Sequence, residues 1–267
     1  MEKALLIDKL EGLKDWNSKY TRIYFGAEFC QRLIPAVKQV EKILSFCSKK
    51  KNQFTFITPF VTDEGLGKLK PVFKFLAKEN PDTEIVINDL GVAYFLSRDF
   101  PKFTLSLGRL LNKQKRDPRI LTVKSCLPKE AVNYFSLALG ESIFDTDLKE
   151  KLNIKRIELD NLLQGVKRQS PKIPASLYYP YVYVTTTRYC LIGLAFHEGS
   201  FKRKVSFKCN RECQKYTFSL RNPKMPAKIY LKGNTQFIYS PNLPANLRAL
   251  NIDRVVYQTN IAKVKSC

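Results

Sequence analysis

The sequence predicts an α/β fold: a TIM-barrel-like (βα) barrel with a cysteine-bearing insertion and a β-hairpin near its C-terminal end. Three observations carry this. Short runs rich in Ile, Val and Phe recur through the first half, continuous rather than alternating, as parallel strands covered on both faces require. Each is followed by enough residues for a crossover helix. No Gly-rich phosphate fingerprint follows any of them, which favours a closed barrel over a dinucleotide-binding open sheet. The chain has 267 residues, and single barrels of this kind commonly run to roughly 250. One domain over 1–267 is therefore expected, with the insertion at 191–226.

The elements follow in order. The N-terminus, MEKALLIDKLEGLKDW, mixes Glu2, Asp8, Glu11 and Asp15 with apolar residues and reads as an amphipathic helix rather than a signal peptide. Arg22–Phe25 reads as the first strand, ending at Gly26, before a helical run from Ile34 to Cys47. Phe54–Thr58 is the second strand, followed by Pro59, a cap at Thr62 or Asp63 and a helix through Leu76. Glu84–Asn88 is the third, leading into a helix over Asp89–Leu96, and Thr104–Leu107 is the fourth. Lys129–Leu139 reads as helix and Lys155–Leu159 as a fifth strand. Tyr178–Thr186 is β-prone with one Pro. Ala227–Leu231 and Gln236–Tyr239 flank Gly233-Asn234 as a hairpin, and Asp253–Gln258 is the last barrel strand.

Composition narrows the function classes. No window approaches the ~20 apolar residues of a membrane span, so a cytoplasmic protein without a span is expected. The formal net charge is +22. Such an excess suits a polyanion, RNA among them. It also suits a Lys-rich composition with no nucleic-acid role, because the dense runs at Lys49-Lys50-Lys51 and Lys202-Arg203-Lys204 are short. No Ser–His–Asp or H-E-x-x-H arrangement is visible, so peptidase chemistry has no catalytic basis.

The seven cysteines are too few for a disulfide scaffold and odd in number. Cys209 and Cys213 are spaced C-x3-C, Cys190 ends the TTTRYC run, and Cys30 follows the first predicted strand. Loops after barrel strands open onto one face, so all four could meet there. Four soft thiolates suit an iron–sulfur cluster or zinc. Ordinary buried thiols are the alternative, and Cys47, Cys126 and Cys267 are read that way.

Further candidates lie at strand ends. Arg109 directly follows the fourth strand and could hold a carboxylate or phosphate in a bidentate fork; Arg116 and Arg119 share that possibility, whereas Lys113 and Lys115 read as a solvated face. Asn88 and Asp89 point to the same rim, although Asp89 could equally cap a helix. Glu28 reads as a surface carboxylate. His197, the single histidine, reads as an exposed loop residue near the cysteines.

The stretches NDLGVAYFL and FPKFTLSLGRLLNKQKRDPR, with RIYFGAEFC and VTTTRYC…CNREC, resemble the collagenase-like U-type peptidase family. The cysteine layout is similar to that of its short, non-proteolytic, UbiV-like branch. The resemblance implies a 4Fe–4S cluster on Cys30, Cys190, Cys209 and Cys213. It also implies a part in oxygen-independent hydroxylation of the ubiquinone ring or a related aromatic substrate, alongside a homologous partner in a heterodimer. Relatives in the wider family hydroxylate RNA bases, which is the alternative function. A zinc-stapled, non-catalytic binding module is a third reading.

Overall fold

The computed structural model describes residues 1–138, 150–168, 171–195 and 209–261. Eight parallel strands close into a barrel. They are β1 (Glu2–Ile7), β2 (Arg22–Gly26), β3 (Gln53–Ile57), β4 (Glu84–Ile87), β5 (Thr104–Leu107), β6 (Ile154–Asp160), β7 (Ala175–Tyr179) and β12 (Ile252–Gln258), in the order β1-β12-β7-β6-β5-β4-β3-β2. The expected barrel is therefore present. Helices α1 (Val37–Lys50), α2 (Asp63–Glu79), α3 (Leu90–Asp99), α4 (Ile120–Val123) and α5 (Lys129–Ser136) follow β2 to β5.

The N-terminal helix is not formed. Glu2–Ile7 is instead the first barrel strand, pairing with β12 on one side and β2 on the other. Only the following Leu10–Asp15 coils, as a short 3-10 turn. An apolar run of four, Ala4 to Ile7, carries no period that separates strand from helix. Pairing with a strand some 250 residues away decides the outcome. Cys30 consequently follows the second barrel strand, not the first.

Period-2 alternation sorts each strand's side chains. Ala4, Leu6, Tyr24, Ile57, Val86, Tyr178 and Val256 form one cluster inside the barrel. Their neighbours Leu5, Ile23, Phe56, Ile85, Leu105 and Leu177 join the larger core outside it. There they meet helical faces at turn spacing, such as Val40, Ile43 and Cys47 of α1 and Leu69, Val72, Phe73 and Leu76 of α2. Such double burial explains the continuous apolar runs.

The barrel interior is also heavily charged near the strand starts. Glu2 pairs with Arg22 at 2.7 Å and Arg254 at 2.5 Å, and Arg254 reaches Glu84 at 2.6 Å. Glu158 lies deeper, accepting from Ser106 at 2.5 Å. Burial, with Glu84 next in effect, pushes its carboxyl up to about 7.

After β7 the chain leaves the barrel at Pro180, which has no N–H to continue a ladder. The single β-prone stretch of the sequence is thus two strands. The second, β8 (Tyr181–Thr186), joins β9 (Phe218–Leu220), β10 (Ile229–Lys232) and β11 (Thr235–Tyr239) in an antiparallel sheet of order β8-β11-β10-β9. The expected hairpin is the centre of this sheet. Tyr181, Tyr183 and Phe237 pack on Phe29, Leu110 and Ile261, which lie just past the ends of β2, β5 and β12. The sheet therefore caps the C-terminal mouth of the barrel, where loops after the strands gather.

Candidate metal centre

Cys30, Cys190, Cys209 and Cys213 line one cavity of about 100 Å³ at that mouth, together with Leu6, Gly26 and Gly233. They reach it from different elements. Cys30 leads into the 3-10 turn Gln31–Leu33 after β2. Cys190 follows β8 and precedes the short helix Leu191–Ala195, so it comes from the capping sheet rather than from the end of a barrel strand. Cys213 lies in the turn Glu212–Gln214, with Cys209 just before it. The route into β2's end is narrow. Gly26 sits at φ +144°, and a Cβ there would meet the Ile57 carbonyl oxygen at 2.2 Å.

Several thiols already receive backbone N–H groups. Gly193 N donates to Cys190 Sγ at 3.3 Å and Arg211 N to Cys209 Sγ at 3.4 Å. The amides of Arg32 and Leu33 lower the thiol pKa of Cys30. Burial outweighs them: it raises Cys30 and Cys190 and pushes Cys213 up to about 12, with the neighbouring Cys190 and Cys30 next in effect. A cation bound at Cys30, Cys190 and Cys213 would offset the burial that disfavours their thiolates.

The donor set fits a metal group. Four thiolates are the ligands of a 4Fe–4S cluster, amide N–H···S contacts orient such ligands, and the cavity has more room than one ion needs. Among the described residues, no group of three or more His, Cys, Asp or Glu side chains is already arranged to hold a metal ion.

The β10–β11 turn joins the loops that carry the thiols. Asn234 Nδ2 donates to the Phe29 carbonyl at 2.7 Å and to the Thr187 carbonyl at 2.5 Å, and Thr187 N returns a bond to Asn234 O at 3.1 Å. One side chain thus ties the Cys30 loop to the Cys190 loop. Gly233 has φ +64°, and a Cβ on it would lie 3.1 Å from Cys213 Cβ. Beside it, Lys232 Nζ pairs with Asp8 at 2.7 Å, and its charge lowers the Cys213 thiol pKa.

The polar residues expected at the rim turn out otherwise. Arg109 is 0% exposed. Its Nε and Nη2 donate to Glu28 at 2.8 and 2.6 Å, its Nη1 donates to Asp160 at 2.6 Å, and its guanidinium lies 3.9 Å over the Tyr178 ring. Burial opposes its charge, but Asp160 and Glu28 together hold its pKa above the ordinary value. Arg109 is therefore a brace, not an open fork for a ligand. Glu28, expected on the surface, is buried as its partner. Arg116 completes the network on Asp160 at 2.6 Å. Asn88 is consumed in linking loops, donating to the Thr58 carbonyl at 2.9 Å and accepting from Leu110 N at 3.1 Å. Asp89 caps α3 by accepting from Val92 N, and it also accepts from Val61 N, both at 3.1 Å. Both side chains are thus engaged with backbone groups of neighbouring loops.

Lys113 and Lys115 are exposed as expected, and Arg119 pairs locally with Asp117. Cys47 is buried on the core face of α1, and Cys126 is exposed. His197 and Cys267 lie outside the described residues. Two residues escaped sequence reading. Asp160 lies one position beyond the fifth predicted strand, and an acid at a barrel strand end is a usable signal. Asn234 read only as a turn residue, and nothing local marks its second role.

No protein-family model matches the chain, and neither does any curated protein sequence. Among solved structures, a U32 peptidase is similar over 96% of this chain and 92% of its own, at 12% identity and a TM-score of 0.48. A family 18 N-acetylglucosaminidase from Paenibacillus barengoltzii is similar over 96% and 94%, at 8% identity and a TM-score of 0.39. The barrel itself rests on the strand pairing described above.

Proposed function

We propose that the chain holds a 4Fe–4S cluster on Cys30, Cys190, Cys209 and Cys213. In this reading it acts as one component of oxygen-independent hydroxylation of the ubiquinone ring or a related aromatic substrate, working with a homologous partner chain. The observation that carries the reading is that four thiols from three separate stretches of sequence line one cavity at the barrel's C-terminal mouth. A barrel of this length has core enough to fold without a metal staple, so chemistry is the better reason for the site. When bound, the cluster supplies one-electron transfer. The chain's own residues hold and orient it. Backbone amides contact the sulfurs, Asn234 ties two ligand loops together, and the Glu28–Arg109–Asp160 network fixes the approach to Cys30.

The net charge of +22 supports a second reading, hydroxylation of RNA bases. A steep salt dependence of RNA binding would favour it.

The deciding experiment is purification without oxygen, followed by visible spectroscopy and assay of iron and sulfide. A brown protein with about four irons per chain is expected. Cys30→Ala, Cys190→Ala, Cys209→Ala and Cys213→Ala should each lose that iron, whereas Cys47→Ala and Cys126→Ala should keep it. A colourless, zinc-loaded protein would overturn the reading in favour of a structural staple.

A further inference from the structure

A second cavity, of about 340 Å³, opens beside the metal-centre cavity and shares Phe29, Cys30, Arg32, Arg188 and Asn234 with it. Its volume falls at the lower end of the ligand-pocket range, about 300–1,000 Å³. The lining has a particular chemistry. Three rings, Phe29, Phe60 and Tyr189, and two guanidinium groups, Arg32 and Arg188, contribute to it. Arg188 lies over the Phe60 ring at 5.1 Å, and Arg188 and Tyr189 are both exposed. Among the described residues that line the cavity, none is acidic. Unlike Arg109, which is locked between two buried carboxylates, Arg188 stands at an open wall.

We propose that this cavity is a binding site for a small aromatic carboxylate, held with its ring against Phe60 and Tyr189, its carboxylate on Arg188, and its edge toward Cys30. Rings offer their faces to a planar apolar body. A guanidinium whose present neighbour is a ring can accept a carboxylate without breaking an ion pair. Neither feature alone would select this class: an aliphatic acid lacks the stacking surface, and a neutral aromatic lacks the charge. The ligand class rests on the cavity itself. Only its role, as a substrate beside the thiols, rests on the function proposed above.

The test uses the full chain, purified without oxygen, and three probes followed by ligand-observed NMR titration: benzoate, benzamide and acetate. Benzoate should bind at least ~tenfold more tightly than benzamide or acetate, because each comparison removes one of the two recognition elements. Arg188→Gln should weaken benzoate at least ~tenfold while leaving benzamide unchanged, and Phe60→Leu should weaken both aromatic probes. Arg98→Gln, at an exposed residue paired with Asp99, should change nothing. Equal binding of benzoate and benzamide, or an Arg188→Gln variant that binds benzoate like the parent, would overturn the proposal. Acetate binding as tightly as benzoate would reduce the site to a general anion patch. Iron content, measured on the same samples, separates this outcome from the cluster's. Iron-free protein that binds benzoate through Arg188 keeps the site and sinks the cluster. Iron-loaded protein that ignores benzoate does the reverse.

Discussion

Replacing Arg109 by Met tests whether the barrel mouth is organised around a buried cation. The guanidinium is wholly buried and holds both oxygens of Glu28 and one of Asp160. After Arg109→Met, Asp160 keeps Arg116 at 2.6 Å, but Glu28 loses the only ion-pair partner seen for it among the described residues. Breaking a buried pair from one side typically costs about 3–5 kcal/mol, because the surviving charge is left in a low dielectric. That is about a fifth or more of the 5–15 kcal/mol that holds a domain together. Urea unfolding of the oxygen-free protein at pH 7 should show a loss of that size. The double variant Glu28→Gln/Arg109→Met removes the orphaned charge and should recover most of it. Glu28 lies two residues before Cys30, so the single variant should also retain less iron than the parent. A loss under about 1 kcal/mol, or a double variant no more stable than the single one, would refute the buried-brace argument.

Two further outcomes follow from single side chains. Asn234→Ala removes the donor that joins the Phe29 and Thr187 carbonyls, at about 1 kcal/mol per bond; Asn234→Asp, which keeps the size but not the N–H, should do the same. Both should shed iron faster to a chelator and lose no more than about 2 kcal/mol of stability, and an Asp variant that holds iron like the parent would remove the clamp. Glu158, faced by Ser106, Ser176, Tyr24, Glu84, Arg254 and Arg156, is raised from 4.5 to about 7 by burial first and Glu84 second. The folded state therefore holds a proton that the unfolded chain has released between those values. Stability must fall as pH rises from about 4.5 to about 7, by about 3 kcal/mol in all. Glu158→Gln abolishes that fall, so its stability relative to the parent should improve between pH 4.5 and pH 8 in urea titrations. A constant difference would place the carboxyl's pKa near its ordinary value.

The parallel barrel was legible in the sequence, and so were the four thiols that come to line one cavity. Runs such as FTFIT and EIVIN are apolar on both faces because both faces of a barrel strand are covered, and that requirement acts residue by residue, within reach of local reading. Cys30, Cys190, Cys209 and Cys213 could be singled out because thiolate chemistry is carried by residue type and spacing. The rest depended on contacts between segments far apart in the chain. Glu2–Ile7 becomes a strand because β12 and β2 offer it partners, a long-range pairing that no window of sequence contains. Cys190 arrives on a separate capping sheet, which was legible only as a hairpin and a loose β-prone stretch. Arg109, Glu28 and Asn88 took other places for the same reason, and Asp89 took the capping role that was one of its two readings. A polar side chain at a strand end is a ligand or a brace according to what is buried beside it: here Arg109 is held by Glu28 and Asp160, Asn88 by the Thr58 carbonyl, and Asp89 by the amides of Val61 and Val92.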